Sequence, residues 1–237
     1  MRSRQLPLER YHTDKIANRY LDRYDPVFAP WVNKELKLLE IGIHEGGSLL
    51  LWRDYFPSGT IAGVDIDPPP KALASEERIH LFQGSQADPR FLSDVANRVA
   101  PDGFDIIIDD ASHIGELTRK AFWHLFDNHL KHGGLYVIED WGTGYWDDWP
   151  DGRTLRPGRQ RLSSAWSRLL SRIDRHRKRP SSCHCYGMVA FIKELVDEQG
   201  ATDVTRGRVT GKAARQSKFE SVLVTPSIVF VRKAVAG

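Results

Sequence analysis

Cysteine is nearly absent: the 237 residues hold two, Cys183 and Cys185, one residue apart. So close a pair cannot staple a fold, which sets aside the disulfide-framed secreted class and points to a reducing cytoplasm. Long apolar runs are missing too, and none approaches the roughly 20 residues that a membrane-crossing helix needs. The first stretch, MRSRQLPLERYHTDK, has basic residues with no apolar core behind them, so it does not read as a secretory signal. There is no internal repeat and no long low-complexity segment. Neither charge dominates: the net charge is +3, and much of that excess sits in one segment taken up below. What is present, 41% hydrophobic and 27% charged residues, is ordinary for a globular protein.

Five short apolar runs recur at intervals suited to βαβ units: LKLLEIG (36–42), TIAGVDID (60–67), IHLFQGS (79–85), FDIIIDD (104–110) and GLYVIED (134–140). They are continuously hydrophobic rather than alternating, as parallel strands buried on both faces are. Between them, 46–56, 88–99 and 115–130 have helical character, the last with Leu117, Phe122, Leu125 and Phe126 along one stripe. KHGG at 131–134 reads as a helix stop. Residues 187–200 then predict a helix with Met188, Phe191, Ile192, Leu195 and Val196 on one face. KFESVLVTPSIVFVRKA predicts an antiparallel hairpin broken at TPS. The expectation is one doubly wound α/β domain over 1–237. In it, 1–35 form a helical segment or lid, 36–142 the core, 143–183 a variable loop and basic helix, and 187–237 the terminal helix and hairpin.

The first strand runs into EIGIHEGGS, residues 40–48. Gly42, Gly46 and Gly47, followed by Ser48, permit a tight turn and close backbone approach to a ligand at a helix N-terminus, although many α/β proteins need such a turn for packing alone. Asp65 ends the next strand, where a carboxylate would hold a ribose diol. That much also suits a nicotinamide dinucleotide. Glu40 separates the readings, because a carboxylate beside the glycines would repel a pyrophosphate and favour a sulfonium or an amino group.

LLEIGIHEGGSLLLWRDYFPSGTIAGVDID, together with DIIIDDASH and GLYVIEDW, resembles the class I S-adenosylmethionine-dependent methyltransferases. More narrowly, it resembles the metal-dependent sugar O-methyltransferases of macrolide tailoring. The resemblance covers roughly 36–142, the terminal hairpin also fits, and no motif covers 143–183. It implies a seven-stranded, mostly parallel sheet whose last strand is antiparallel. It also implies that Glu40, Gly42, Gly46, Gly47 and Ser48 face the methionine part and ribose of the cofactor, Asp65 the ribose hydroxyls and Gln86 the adenine end. By the same resemblance Asp110, Glu139 and Asp140 take the metal-ligand positions, His113 the general base, and Asp109 a place nearer the cofactor. The mannose-type oligosaccharide methyltransferases of methylated polysaccharides, also small, are a second similar group.

In an open α/β sheet a ligand lies beyond the carboxyl ends of the strands. There the fourth and fifth runs would bring Asp109, Asp110, Glu139 and Asp140 together. Carboxylates so close repel one another unless a cation neutralises them, and an all-oxygen set selects Mg²⁺, or Mn²⁺, over zinc. A bland alternative stands beside this: Asp110 could simply cap the helix that starts near Gly115. An imidazole is the side chain best suited to exchange a proton near neutral pH, so His113 suits the base; His12 and His44 rank behind it because neither adjoins the carboxylates.

Trp141, Tyr145, Trp146 and Trp149 follow the acidic motif and suit a sugar face or a flat phenol, or merely close a loop over the core. His12, Thr13, Asp14 and Lys15 are placed to act as a lid. Residues 159–180, RQRLSSAWSRLLSRIDRHRKRP, predict a basic amphipathic helix whose stripe is best buried on the domain or in a homo-oligomer, with a membrane surface or nucleic acid behind those. The CHC of 183–185 has the wrong spacing for a closed zinc site. Competing with a sugar O-methyltransferase are a catechol-type O-methyltransferase, an RNA-binding or RNA-modifying protein, and an iron-holding hydroxylase relative.

Overall fold

The computed structural model describes residues 1–154, 186–202 and 215–235. The expected basic helix at 159–180 and the cysteine pair lie outside the described residues. Each of the five apolar runs falls on a strand, the fifth starting four residues ahead of its run: β1 (Lys37–Ile41), β2 (Thr60–Asp65), β3 (Ile79–Gln83), β4 (Phe104–Asp109) and β5 (Leu130–Glu139). The terminal hairpin supplies β6 (Phe219–Val224) and β7 (Ile228–Lys233). Together they form one seven-stranded sheet of order β3-β2-β1-β4-β5-β7-β6. The first five strands are parallel, and β7 lies antiparallel between β5 and β6.

Both faces of the sheet are buried, and the period of two along each strand assigns side chains to them. Leu39, Ile107, Tyr136 and Ile138 point to one face, where they pack with α4 (Pro89–Val99), α5 (Gly115–Asn128) and, after the short α6 (Pro150–Thr154), α7 (Gly187–Gln199). Leu38, Ile106, Ile108 and Val137 point to the other, covered by α3 (Gly47–Tyr55) and the N-terminal helices α1 (Asp14–Ala17) and α2 (Leu21–Phe28). On that face Tyr24, Phe28, Trp52, Tyr55 and Phe56 form a cluster of edge-on and tilted rings 4.7–6.0 Å apart. Each fully buried aliphatic side chain contributes about 1.5–3 kcal/mol.

Two sequence expectations differ from the structure. KHGG is not a helix stop: α5 has already ended at Asn128, and residues 131–134 lie inside β5. The pairing passes from Phe104↔Leu130 to Ile106↔Leu135, so the extra residues loop out of register there, with Gly133 at φ 72°. Val196, placed on the apolar face of α7, is 54% exposed, whereas Met188, Phe191, Ile192 and Leu195 are buried. The helical face simply turns past it.

The chain goes from β1 to β2 on one side of the sheet and continues through β4 on the other, so the strand order reverses between β1 and β4. A crevice opens at the carboxyl ends of strands on either side of such a switch point. The pairings Ile41↔Asp109 and Asp109↔Ile138 bring the ends of β1, β4 and β5 level with one another.

Candidate active site

Gly42 leaves β1 at φ 101°, and a Cβ there would stand 2.4 Å from the Asp110 carbonyl oxygen, so only glycine lets the first turn lie against the fourth. Asp65, at the end of β2, accepts from the backbone N–H groups of Ile43 (2.7 Å) and His44 (3.1 Å) with one oxygen and from Asp67 N–H (3.0 Å) with the other. These bonds fix its carboxylate at the rim of a cavity of about 740 Å³. Gly42, Gly46, Gly47, Ser48, Asp65 and Gln86 all line that cavity, as does the half-buried Leu117. Its volume suits a nucleotide-sized ligand.

Glu40 and Asp109, expected to face the cofactor, do not line it. Strand alternation sends Glu40 to the face of Leu38, where its fully buried carboxylate accepts from Ser48 Oγ (2.8 Å) and Trp52 Nε1 (3.2 Å). Asp109 goes to the face of Ile107 and accepts from Tyr136 Oη (3.2 Å) and Gln86 Nε2 (3.4 Å). Burial pushes the Asp109 carboxyl up to about 7.

Asp110, His113 and Asp140 do face the cavity, and each offers a ligand atom within 4.8 Å of the others. His113 Nε2 is 3.8 Å from Asp140 Oδ2, while its Nδ1 is buried with no hydrogen-bond partner among the described residues. Ser112, His113 and Asp140 all hold left-handed backbone, at φ 51°, 48° and 52°. Such strain is kept where a site requires it. Glu139 turns the other way, and its oxygens meet Tyr24 Oη and Lys15 Nζ. The four acids of the two motifs therefore do not form one cluster.

The N-terminal segment completes the site from the side. Lys15, which the sequence places only in a lid segment, is fully buried, with Nζ 2.5 Å from Asp110 Oδ2, 3.0 Å from Glu139 Oε2 and 3.4 Å from Glu40 Oε1. Burial alone would lower the ammonium pKa, but the carboxylates of Asp110, Glu139 and Glu40 carry it well above its ordinary value. Tyr20 Oη donates to Asp140 Oδ1. Burial is the main cause that raises the carboxyls of Glu40, Glu139 and Asp140, and repulsion from Asp110 adds to each. Three acids around one lysine, with Asp140 beside Asp110, are thus short of positive charge. With Asp110 and Asp140 offering oxygens towards the cavity, the donor set fits a hard divalent cation. Glu139, whose two oxygens already accept from Lys15 and Tyr24, lies behind this pair.

A second cavity of about 460 Å³ adjoins the first and shares Asp14, His113 and Asp140 with it. Arg23, Asn18, Trp146 and Trp149 line its far side. Trp149 stacks at a tilt on His113, with ring centres 5.7 Å apart, and donates to Ser112 O at 3.3 Å. Trp141 and Tyr145 do not line it; Trp141 Nε1 instead donates to Thr225 O at 2.9 Å. Asp110 does not cap α5, because Asp151 accepts from Gly115 N–H (2.8 Å) and also from Met188 N–H at the start of α7 (2.7 Å).

No family model matches the chain. It is 38% identical over 216 residues to demethylmacrocin O-methyltransferase of Streptomyces fradiae, across 81% of this chain and 53% of that protein. It is 36% identical to mycinamicin VI 2''-O-methyltransferase of Micromonospora griseorubida, across 81% of this chain and 52% of that protein. The chain thus spans about half the length of these curated relatives. Among solved structures, the MycE methyltransferase of the mycinamycin pathway, in complex with Mg, SAH and mycinamycin VI, superposes with a TM-score of 0.65 at 30% identity. That match covers 90% of this chain and 48% of the other. In sequence over four-fifths of its length, and in fold, the chain is a homologue of macrolide-pathway sugar O-methyltransferases within the class I S-adenosylmethionine-dependent methyltransferases.

Proposed function

We propose that the chain moves a methyl group from S-adenosylmethionine to a sugar hydroxyl of a glycoside or short oligosaccharide, with Mg²⁺ or Mn²⁺ as the metal. The observation that carries this reading is the wall shared by the two cavities, in which His113 and Asp140 stand between a nucleotide-sized space and one edged by Trp146 and Trp149. The larger space would take the cofactor, with Asp65 on the ribose hydroxyls and the Gly42–Gly46–Gly47 turn against its methionine part. The smaller would take the acceptor, its ring faces against tryptophan.

A sugar hydroxyl holds its proton far too tightly to lose it unaided at neutral pH. The acceptor oxygen attacks the methyl carbon, the carbon–sulfur bond breaks with its electron pair going to sulfur, and the hydroxyl proton goes to His113 Nε2. The positive charge of the sulfonium therefore ends on the imidazolium, beside the Asp140 carboxylate. Asp110 and Asp140, with Glu139 behind them, would hold the metal, whose chemistry when bound is to acidify and orient the acceptor hydroxyl. Macrolide glycosides and mannose-type oligosaccharides of methylated polysaccharides are the two acceptor classes under this reading, and a cytoplasmic setting goes with it. Among the described residues no helix is long and apolar enough to cross a membrane.

Titration calorimetry of S-adenosylhomocysteine, with Mg²⁺ and again with a chelator, tests the proposal. Binding in both conditions, with metal needed only for turnover on sugar glycosides, is expected. Absence of binding in both would overturn the cofactor assignment.

A further inference from the structure

Lys15 is the one fully buried cation among the described residues. An ammonium in that position is costly unless it is closely paired. Its three partners come from three places in the sheet: Glu40 in β1, Asp110 just beyond β4 and Glu139 in β5. Those three acids offer oxygens that all lie within 4.8 Å of one another. Three like charges at that spacing repel strongly where water is excluded, and the lysine nitrogen sits among them. Lys15 is held there by its own segment. Thr13 caps α1, and the His12 backbone crosses Gly47 so closely that a Cβ on the glycine would fall 2.0 Å from the His12 carbonyl oxygen.

We propose that Lys15 is a positioning residue. Its ammonium is the resident counter-ion of the Glu40–Asp110–Glu139 group, keeping the strand-end acids folded inward in register while one side of Asp110 stays open to the cavity. It also ties the N-terminal segment to the metal position. This rests on the proposed function only in taking Asp110, the member of the group that faces the cavity, to be one of the acids that receive a divalent ion. Charge, not side-chain bulk, is what Lys15 supplies, so a divalent ion should replace it where an apolar side chain of equal length does not.

Lys15→Met is the test, read by thermal unfolding and by Mn²⁺ binding followed with electron paramagnetic resonance, both without cofactor or acceptor. In chelator the variant should unfold well below the parent, and Mg²⁺ or Mn²⁺ should restore most of the loss, raising the variant by clearly more than it raises the parent. Its Mn²⁺ affinity should rise by about tenfold or more, because a positive charge next to the ion has gone. If the variant is too unstable without metal, Lys15→Met with Glu40→Gln removes one anion along with the cation and should be more stable than Lys15→Met alone. An equal loss with and without metal, unchanged Mn²⁺ affinity, or strictly additive effects in the pair would each overturn the proposal. These readouts stand whether or not S-adenosylhomocysteine binds, so this inference and the methyltransferase reading fail separately.

Discussion

His113 Nε2 stands 3.8 Å from Asp140 Oδ2, and both residues hold left-handed backbone at the boundary between two cavities. An imidazole in that position gains a proton beside a carboxylate able to stabilise the cation. Trp149 packs against the imidazole ring, and the buried Nδ1, without a hydrogen-bond partner among the described residues, leaves Nε2 beside Asp140 as the nitrogen able to exchange a proton.

His113→Ala should therefore lower kcat by about 10²–10⁴-fold, the usual contribution of a positioned base, while S-adenosylhomocysteine binds as before. Single-turnover rates with saturating cofactor would check it. Activity close to that of the parent would take His113 out of the proton-accepting role.

Asp140 offers the same space an oxygen that can meet a metal. Asp140→Ala should weaken Mn²⁺ binding by at least about tenfold, the lower end of what loss of a supporting group already costs. Turnover should fall with it. An unchanged metal dependence would contradict the ligand assignment.

The sheet was legible because five β-branched runs, each ending in or beside acids or glycine, carry strong local signals, and TPS between two more marks the hairpin. Which way each terminal acid points was not legible from the motif alone. Glu40 shares strand parity with Leu38, and Asp109 shares it with Ile107, so alternation buries both although the motif places them at the site. Lys15 could not be found at all as a partner of the acids: Asp110 lies 95 residues and Glu139 124 residues further along the chain. No local pattern joins residues so far apart. Asp151 was missed for the same reason, since its two backbone donors belong to helices on either side of a long insert.

Gly47 is required by the chain crossing it more than by any ligand. A Cβ there would meet three His12 backbone atoms at 2.0, 2.4 and 2.8 Å, none of which can swing aside as a side-chain tip can. Gly47→Ala should cost about 1–3 kcal/mol of stability, lift the N-terminal segment and weaken cofactor binding with it. Gly142→Ala, where an added Cβ meets nothing within 4 Å, is the matched control and should unfold close to the parent. Thermal melts and limited proteolysis of the N-terminal segment would separate the two.

Asp25 anchors the first residues of the described chain. It is 3% exposed and accepts from Ser3 N–H (3.1 Å), Ser3 Oγ (2.6 Å) and Tyr55 Oη (2.7 Å). Burial by itself would raise its carboxyl, but the donors from Ser3 and Tyr55 outweigh it and hold the pKa below the ordinary value. The unfolded chain, with an ordinary Asp, takes up its proton first as pH falls. The stabilising contribution is therefore complete above the unfolded pKa of roughly 4 and drains away as pH drops through the lower folded value. Asp25→Asn keeps the shape but removes the charge that three hydrogen bonds from Ser3 and Tyr55 converge on, and it obliges the Ser3 hydroxyl to turn round and accept from the amide, so about 1–3 kcal/mol should be lost at neutral pH. Below about pH 4 the gap between variant and parent should narrow, because the parent alone loses the charged form. Urea unfolding at pH 7 and at several points below pH 5 would check both parts, and a gap that widens in acid would exclude Asp25 as the source.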